Sequence, residues 1–235
     1  MKCKVITWNI AGLPYYVNIY GNPEVRIQQI IEKIKKQKAD IILLQEVFTI
    51  SLIKQIKSAF KNDYWVRSSN KSRKIKLLNV FGPLTLGSGL VTLFNKKKFQ
   101  VQHLKFYHFK YLSGEDKLSN KGLQLFSIYS QQLKCTIIVI NTHLNNPDAI
   151  FSRHKKSVKV TTNQILSIKK LFANYKNKKI ILGGDLNMAK LKFDKCIRNK
   201  IDYICVNDLE ILSHSKKILK CNLSDHALLS CIITK

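Results

Sequence analysis

The sequence is poor in acidic residues, in proline and in long uninterrupted apolar runs. Asp and Glu number 14 against 41 Lys and Arg, which gives a formal net charge of +27. Such an excess attracts polyanions, either nucleic acid or an anionic membrane surface. Lysine far outnumbers arginine, so a general compositional bias explains the charge equally well. With 235 residues, 45% of them hydrophobic, and 4 prolines, the composition is globular, and we expect one domain over residues 1–235.

Further absences exclude several classes of protein. No apolar run approaches the roughly 18 residues of a membrane span, and the first predicted strand begins almost at Met1, which leaves no room for a signal peptide. The six cysteines form no Cys-x-x-Cys pair and have no zinc-like spacing. No Gly-x-Ser-x-Gly elbow, P-loop or Gly-x-Gly-x-x-Gly is present. These absences predict a soluble, cytoplasmic or otherwise intracellular protein without a transmembrane segment and with reduced cysteines.

The other predictions centre on the stretch 180–187, Ile-Ile-Leu-Gly-Gly-Asp-Leu-Asn. Its apolar run is too short for a helix and predicts a buried strand that ends at two glycines, which leave room for a ligand to come close. Asp185 and Asn187 are two residues apart, so both side chains point the same way on an extended segment. Ligands bind at such strand ends in layered α/β proteins, although a polar turn explains the isolated stretch about as well.

The same arrangement, an apolar strand bordered by polar residues, recurs along the chain. Five further predicted strands carry such residues at their ends or inside them: Asn9 (strand 4–9), Glu46 (40–46), His143 (136–144), Asp202 (200–206), and Asp225 with His226 (before 227–233). A turn, or a strand end that reaches water, is a sufficient explanation for each residue alone. The repetition predicts that these residues share one site.

Apolar residues at three- and four-residue steps predict amphipathic helices at 24–38, 52–60 and 157–175. Polar and basic residues predict a mobile surface loop at 68–80, a polar loop at 114–122, and a loop at 145–156 that would cover the site. Strands with long helices between some of them indicate an α/β protein.

The side chains collected at the strand ends suit one kind of chemistry. Oxygen ligands without a cysteine cluster favour a hard cation such as Mg²⁺, for which Mn²⁺ is a substitute. A histidine oriented by a buried aspartate is a general base near neutral pH. An asparagine and a second histidine can hold anionic phosphoryl oxygens as charge develops. Together they predict metal-assisted hydrolysis of a phosphoester by an activated water.

The sequence resembles the endonuclease/exonuclease/phosphatase superfamily in six blocks that occur in this order: Trp8-Asn9, Leu44-Gln45-Glu46-Val47, Asn141-Thr142-His143-Leu144, Gly184-Asp185-Leu186-Asn187, Ile201-Asp202-Tyr203-Ile204 and Ser224-Asp225-His226. The resemblance covers nearly the whole chain. It implies a four-layer α/β sandwich (α+β) with two central, mainly antiparallel sheets flanked by helices. It also implies a Mg²⁺-dependent phosphoric diester hydrolase.

Carried over residue by residue, the resemblance implies a metal site and a reaction centre. Glu46 is the principal metal ligand, supported by Asn9 and by Asp225, although Asp225 could instead only position its neighbour His226. The residues with roles in the reaction itself are Asp185 and Asn187, which orient the phosphate and the attacking water, His226 as general base, Asp202 as its support, and His143 on the phosphate. Asp185 also takes part in proton transfer.

Two turns resemble the neutral sphingomyelinase branch of this superfamily: Gly87-Ser88-Gly89-Leu90 and the stretch 116–122, Asp-Lys-Leu-Ser-Asn-Lys-Gly. Enzymes of that branch convert sphingomyelin to ceramide and phosphocholine. The second turn places Lys121 with His143 and Asn187 among the substrate-binding residues. Binding to an anionic membrane surface would then rest on charge and on scattered aromatic residues, and we expect a monomer.

Two alternatives stay open. A nuclease of the same superfamily, specific for abasic sites or similar to DNase I, is favoured by the +27 charge, because a basic surface contacts phosphates without reading sequence. A non-catalytic binding protein on this fold is less favoured, because Glu46, Asp185 and His226 are all present.

Overall fold

The computed structural model describes residues 2–13, 21–69, 73–75, 84–148 and 153–235. In these ranges the α-helices are α1 Pro23–Gln37, α2 Ile50–Phe60 and α3 His154–Asn174. The strands are β1 Cys3–Gly12, β2 Ile41–Val47, β3 Tyr64–Ser68, β4 Arg73–Ile75, β5 Leu84–Leu86, β6 Val91–Asn95, β7 Phe99–His108, β8 Gly122–Ser130, β9 Cys135–His143, β10 Lys179–Asp185, β11 Cys196–Asn199, β12 Asp202–Asn207, β13 Glu210–Ile211, β14 Lys217–Leu219 and β15 Leu228–Thr234.

The strands form two large sheets and a small ribbon. The first sheet has seven strands in the order β13-β15-β1-β2-β6-β3, with β14 also paired to β15, and the second has six in the order β11-β12-β10-β9-β8-β7. Strands β4 and β5 form the ribbon. Two neighbouring pairs are parallel, β1 with β2 and β9 with β10, and the other pairs are antiparallel. The prediction of two mainly antiparallel sheets is confirmed.

Residue alternation along the strands builds the layers. Val5 of β1 and Ile181 of β10 point into the core between the two sheets. The neighbouring residue Ile6 points to the opposite face, where it packs with α1 and α2, and Ile180 packs with α3 on the far side of the second sheet. Because successive side chains of a strand face opposite sides, each sheet buries both of its faces. The result is the predicted four-layer sandwich.

Local sequence signals set the helix ends. Asn22 caps α1 by accepting a hydrogen bond from the Glu24 backbone N–H, and Pro23 occupies the first turn, where its missing N–H has no consequence. Lys38 ends the helix in the left-handed conformation at φ 47°. Thr49 caps α2 in the same way as Asn22 caps α1. These caps bound the apolar stripes that pack on the first sheet.

Three predictions about loops need correction or lie partly outside the described residues. The predicted polar loop 114–122 contains a 3-10 turn, Gly114–Leu118, ends at the first residue of β8, and buries Asp116 and Lys121 as an ion pair. The predicted loop 68–80 contains β4, and its residues 70–72 and 76–80 lie outside the described ranges. In the predicted loop 145–156, α3 already begins at His154, and residues 149–152 lie outside the described ranges.

No helix among the described residues is both long enough and apolar enough to cross a membrane.

Candidate active site

Strand register brings three predicted site residues of the second sheet side by side. Asp185, the last residue of β10, has His143 of β9 as its Cα partner on one side and Asp202 of β12 on the other. All three are buried. Each lies an even number of residues from an inward-facing core residue of its strand, for example Ile181 for Asp185, so all three face the first sheet.

Asp185 connects the two sheets. Its Oδ2 accepts a hydrogen bond from Asn9 Nδ2 of β1 at 3.1 Å and lies 3.4 Å from His143 Nε2 and 3.6 Å from His226 Nε2. Its Oδ1 accepts from the Asn187 backbone N–H at 2.9 Å. Burial is the main reason that the pKa of Asp185 rises to about 6. One carboxylate therefore contacts four of the predicted site residues.

The two glycines before Asp185 serve close packing of the protein itself, which corrects the expectation that they leave room for a ligand. A Cβ on Gly184 would lie 2.0 Å from the backbone oxygen of Thr142, and one on Gly183 would lie 2.3 Å from a methyl carbon of Leu43. Gly184 also has φ 152°, which favours glycine. Side chains at either position would push β10 away from β9 or from the facing sheet, and with it Asp185.

Glu46 lies on the first sheet, opposite Asp185. Its Oε1 accepts a hydrogen bond from Asn9 Nδ2 at 2.9 Å, and its backbone is in the left-handed region at φ 57°. Burial is the main reason that its pKa is raised, and the nearby carboxylates Asp185 and Asp225 raise it further, against the hydrogen bond from Asn9 and the charge of Lys121. Non-glycine residues adopt such a backbone at a cost of about 1–3 kcal/mol, typically at functional sites.

His226 is held in place by contacts to its ring and to its backbone. Its Nδ1 lies 2.9 Å from Asp202 Oδ2 and 3.0 Å from Oδ1, and Trp8 Nε1 donates to its backbone oxygen at 3.0 Å. Burial alone would lower the pKa of His226, but the hydrogen bond to Asp202 and the charges of Asp185, Asp202 and Asp225 raise it to about 10. The pKa of Asp202 is raised, mainly by burial. Without a bound cation, His226 is therefore an imidazolium at neutral pH.

His143 and Lys121 form a buried pair beside Asp185. Lys121 Nζ lies 3.0 Å from His143 Nε2 and 2.7 Å from Asp116 Oδ1, and it donates to the Leu144 backbone oxygen at 2.9 Å. Burial, followed by the charges of Lys121 and His226, holds the pKa of His143 well below its usual range. His143 is therefore neutral, with Nε2 free of a proton towards Lys121. Its Nδ1 is buried and makes no hydrogen bond within the described part of the chain.

Asn187 and Asp225 lie at the border of the site. Asn187 has φ 49° and donates from Nδ2 to the Leu144 backbone oxygen at 2.9 Å. Asp225 has a half-exposed side chain, and its Oδ2 lies 3.9 Å from His226 Nε2. The predicted site residues thus gather around the gap between the sheets, and among them only Asp225 is exposed.

Carboxylate oxygens and an imidazole are the groups available for a cation. Among the described residues, ligand atoms of Asp185, Asp202 and His226 lie within 4.8 Å of one another. The predicted set differs: Glu46 with Asn9 faces this cluster, and burial, followed by the charges of Asp185 and Asp225, raises the pKa of Glu46. A donor set of oxygens without a thiolate, with surplus negative charge, fits a hard divalent cation.

A buried polar network beneath the site was not predicted. Gln45 Nε2 donates to Asn141 Oδ1 at 2.8 Å across the two sheets, and Asn141 Nδ2 donates to Thr92 Oγ1 at 3.0 Å. Thr92 Oγ1 in turn donates to Gln124 at 2.7 Å, and Gln45 also donates to Thr7 at 3.1 Å. Gln45 directly precedes Glu46, and Asn141 lies two residues before His143. An amide residue on the inward face of a core strand, just before a predicted site residue, is the sequence feature that could have revealed this network.

Comparisons with known proteins agree with this architecture. The sequence model of the Endonuclease/Exonuclease/phosphatase family matches residues 6–226. The search of curated proteins finds no match. Similar solved structures include a humanized D. rerio TDP2 with 14 mutations, at 14% identity and a TM-score of 0.73, covering 100% of this chain and 99% of that chain. Sphingomyelinase C from Streptomyces griseocarneus is 16% identical with a TM-score of 0.73 and 99% coverage of both chains.

A further similar structure is a beta toxin mutant from Staphylococcus aureus with bound magnesium ions, at 16% identity and a TM-score of 0.72, covering 100% of both chains. Identities this low establish a shared fold and nothing more.

Proposed function

Because the chain belongs to the Endonuclease/Exonuclease/phosphatase family, we propose that it is a Mg²⁺-dependent sphingomyelinase, which releases phosphocholine and ceramide. Family membership makes the chain a metal-dependent phosphodiester hydrolase. The observation that carries the hydrolytic part of the proposal is Asp185, whose Oδ2 lies between Asn9 of the first sheet and the two histidines; the choice of a lipid substrate rests on the groove described below. One carboxylate thus adjoins the proposed metal site and the proposed general base.

In this proposal Glu46, Asn9 and Asp225 would hold the cation, and its chemistry would be to neutralise charge on the phosphate and to polarise the phosphoryl oxygen. Mg²⁺ suits these oxygen ligands, and Mn²⁺ is the expected substitute. The magnesium ions in the structurally similar beta toxin support this choice of metal.

His226 is the proposed general base. Asp202 holds Nδ1 at 2.9 Å, which fixes the ring and leaves Nε2 directed towards Asp185. Once a bound cation offsets the carboxylate charges that otherwise keep His226 protonated, Nε2 would be the atom that accepts the proton of the attacking water, and Asp202 would stabilise the imidazolium that results. Asp185 orients the water and assists this proton transfer through the same oxygen that faces both histidines.

We place the phosphate beside Asn187 and His143. Lys121 donates towards His143 Nε2 and is itself buried, so it places a positive charge behind the histidine where water screens little. Anionic charge that builds on the phosphoryl oxygens is stabilised there. We assign Lys121 a role in substrate binding through His143, because its nitrogen is engaged by His143, Asp116 and Leu144.

A groove next to Lys121 favours a lipid substrate. It has a volume of about 520 Å³ and is lined by residues of the segments 108–112 and 117–120. Tyr111 at its edge is 63% exposed and Leu118 beside it is 39% exposed, while Lys110 and Lys117 are exposed among them. Exposed aromatic and apolar side chains between lysines suit the interface of an anionic membrane. The groove wall joins the site through the Phe109 N–H, which donates to the Lys121 backbone oxygen at 3.1 Å.

The second candidate is a nuclease of the same family. The net charge of +27 favours it, because a surface of that charge binds nucleic-acid backbones irrespective of sequence. The proposed site residues keep the same roles, and only the substrate differs.

A side-by-side turnover assay with Mg²⁺ tests the proposal. One arm uses sphingomyelin in mixed micelles and the other uses double-stranded DNA that carries abasic sites. His226→Ala removes the proposed base, and His214→Ala changes an exposed histidine in a 3-10 turn as the matched control. We expect phosphocholine release that is lost in His226→Ala and kept in His214→Ala. DNA cleavage with the same dependence, and no phosphocholine, would replace the sphingomyelinase by the nuclease.

A further inference from the structure

Two cysteines face each other on neighbouring strands, away from the proposed active site. Cys196 is the first residue of β11, and its Cα partner across the antiparallel ladder is Cys205 of β12. The other three strand cysteines have different residues opposite them: Ile233 for Cys3, Ser130 for Cys135 and Val5 for Cys231. The two thiols lie on the outer face of the second sheet, with the apolar residues that pack under α3.

The hydrogen bonds of this ladder bring the two Cα atoms close together. The Val206 backbone N–H donates to the Lys195 backbone oxygen at 2.9 Å, and these two residues continue the register of Cys196 with Cys205. Opposed residues that exchange backbone hydrogen bonds alternate along an antiparallel ladder with pairs that do not. Cys196 and Cys205 are therefore a non-hydrogen-bonded pair, in which Cα atoms are about 4.5 Å apart. Disulfides need roughly 4.4–6.8 Å, so rotation of the side chains suffices to join the sulfurs.

The two thiols differ in exposure and in pKa, as expected for a cysteine that reacts with an oxidant and a neighbour that then forms the disulfide with it. Cys196 is half-buried, and the hydrogen bond from Cys205, with help from Arg198 and the Phe193 backbone, lowers its pKa to about 7 against the opposing effect of burial. Cys205 is buried, and burial raises its pKa well above the usual range. One sulfur is a partly accessible thiolate near neutral pH, while its neighbour keeps its proton.

We propose that Cys196 and Cys205 form an oxidation site that a hydroperoxide converts into a disulfide. The Cys196 thiolate attacks the peroxide, so that an S–O bond forms, the O–O bond breaks, and an alcohol or water leaves. The Cys205 sulfur then attacks the resulting sulfenic acid. The S–S bond forms, the S–O bond breaks, and the hydroxyl departs as water with the Cys205 proton. Two thiols lose two electrons, and the peroxide gains them.

The disulfide would tie the edge of the second sheet to a strand of the proposed active site. Strand β11 is the outermost strand of that sheet, and β12 begins with Asp202, whose partner on β11 is Asn199. The link therefore closes a hairpin whose other end holds the residue that orients His226.

Peptide mapping of the whole protein after treatment with hydrogen peroxide tests the proposal. We expect a Cys196–Cys205 cross-linked peptide, loss of two alkylatable thiols, and recovery of both on adding dithiothreitol. Before oxidation, Cys196 should alkylate about threefold faster at pH 7 than in a synthetic peptide of residues 192–200. At pH 7 a larger fraction of Cys196 is thiolate in the protein than in the peptide, where the cysteine has the ordinary pKa of about 8.5. The gain in rate is smaller than the gain in thiolate, because a thiolate of lower pKa is a weaker nucleophile.

Variants separate the two roles. In Cys205→Ser, oxidation of Cys196 should stop at the sulfenic acid, which a dimedone probe traps, and Cys135→Ser, a half-buried cysteine on β9, should leave the disulfide unchanged. The wild-type mapping needs no variant to fold. The proposal is overturned if Cys196 and Cys205 remain thiols while other cysteines oxidise, or if Cys196 pairs with a different cysteine.

Discussion

His226 Nδ1 and Asp202 Oδ2 lie 2.9 Å apart across the gap between the two sheets. Asp202 begins β12 of the second sheet, and His226 lies two residues before β15 of the first. The histidine is therefore correctly placed only when the sheets are packed together. This contact makes the proposed general base a property of the whole sandwich.

Replacing Asp202 with asparagine is expected to lower kcat by about 10²- to 10⁴-fold, in the range of general-base catalysis. The amide keeps the shape of the side chain but removes the charge that stabilises the imidazolium. The matched control is Asp208→Asn, an exposed residue directly after β12 that pairs with Lys179, and it should keep wild-type kcat. Steady-state kinetics over a pH series checks both, and a wild-type pH profile in Asp202→Asn would remove Asp202 from its role.

The metal ligands can be ranked by Mg²⁺ titration. Glu46→Gln should weaken the apparent Mg²⁺ affinity by at least about 100-fold, because it removes the partly buried carboxylate that faces Asp185. Mutating a residue that only supports a metal ligand costs about 10- to 100-fold in affinity, and loss of the ligand itself should cost at least as much. Asp225→Asn should weaken it by about tenfold or less, because that side chain is half exposed. Isothermal titration of each variant measures the affinities. Equal losses of Mg²⁺ affinity in the two variants would show that Asp225 contributes as much to metal binding as Glu46.

Folding stability without a cation should fall as the pH rises above neutrality. His226 has a pKa of about 10 when folded and about 6.5 when unfolded, so between these values the folded state binds more protons. That contribution is complete below about pH 6.5 and is lost as the pH passes 10. From pH 7 to 9.5 we expect the free energy of unfolding to drop by about 2–3 kcal/mol more in the wild type than in His226→Gln.

Urea unfolding in EDTA at the two pH values measures this difference. In the wild type the range lies above the pKa of about 6 that burial gives Asp185, so there the drop comes mainly from His226. Identical pH dependence in the two proteins would show that the imidazolium of His226 is not stabilised in the fold.

The buried network under the site should be sensitive to one residue. Asn141→Leu removes one acceptor of the Gln45 amide, at 2.8 Å, and the donor to Thr92 and to the backbone oxygens of Leu44 and Val91. We expect a loss of about 2–4 kcal/mol in the free energy of unfolding, since each buried polar group left unpaired costs about 1–3 kcal/mol. Thr136→Ala, an exposed position on the same strand, is the control and should stay within about 0.5 kcal/mol. Equal stability of the two variants would contradict the prediction.

The sequence predicted the strands of the core and the residues that gather between them, because alternation and strand-end polarity are local patterns. It did not predict the pairing of Lys121 with Asp116, or the network around Asn141, since those depend on which strands lie opposite one another. The role of Gly184 was also misjudged: its neighbour is Thr142 of β9, and a glycine in a sequence does not reveal what approaches it. The single-domain extent, the roles of the site residues and the expected monomer stay predictions.

The position of β15 in the first sheet has a consequence for synthesis of the protein. This strand pairs with β1, although it follows all six strands of the second sheet in the chain. A nascent polypeptide that has emerged only as far as β12 has His143, Asp185 and Asp202 in one sheet but still lacks His226. Hydrolysis should therefore begin only once β15 has left the ribosome and inserted beside β1. Incomplete chains are then inactive towards phosphodiesters in the cell.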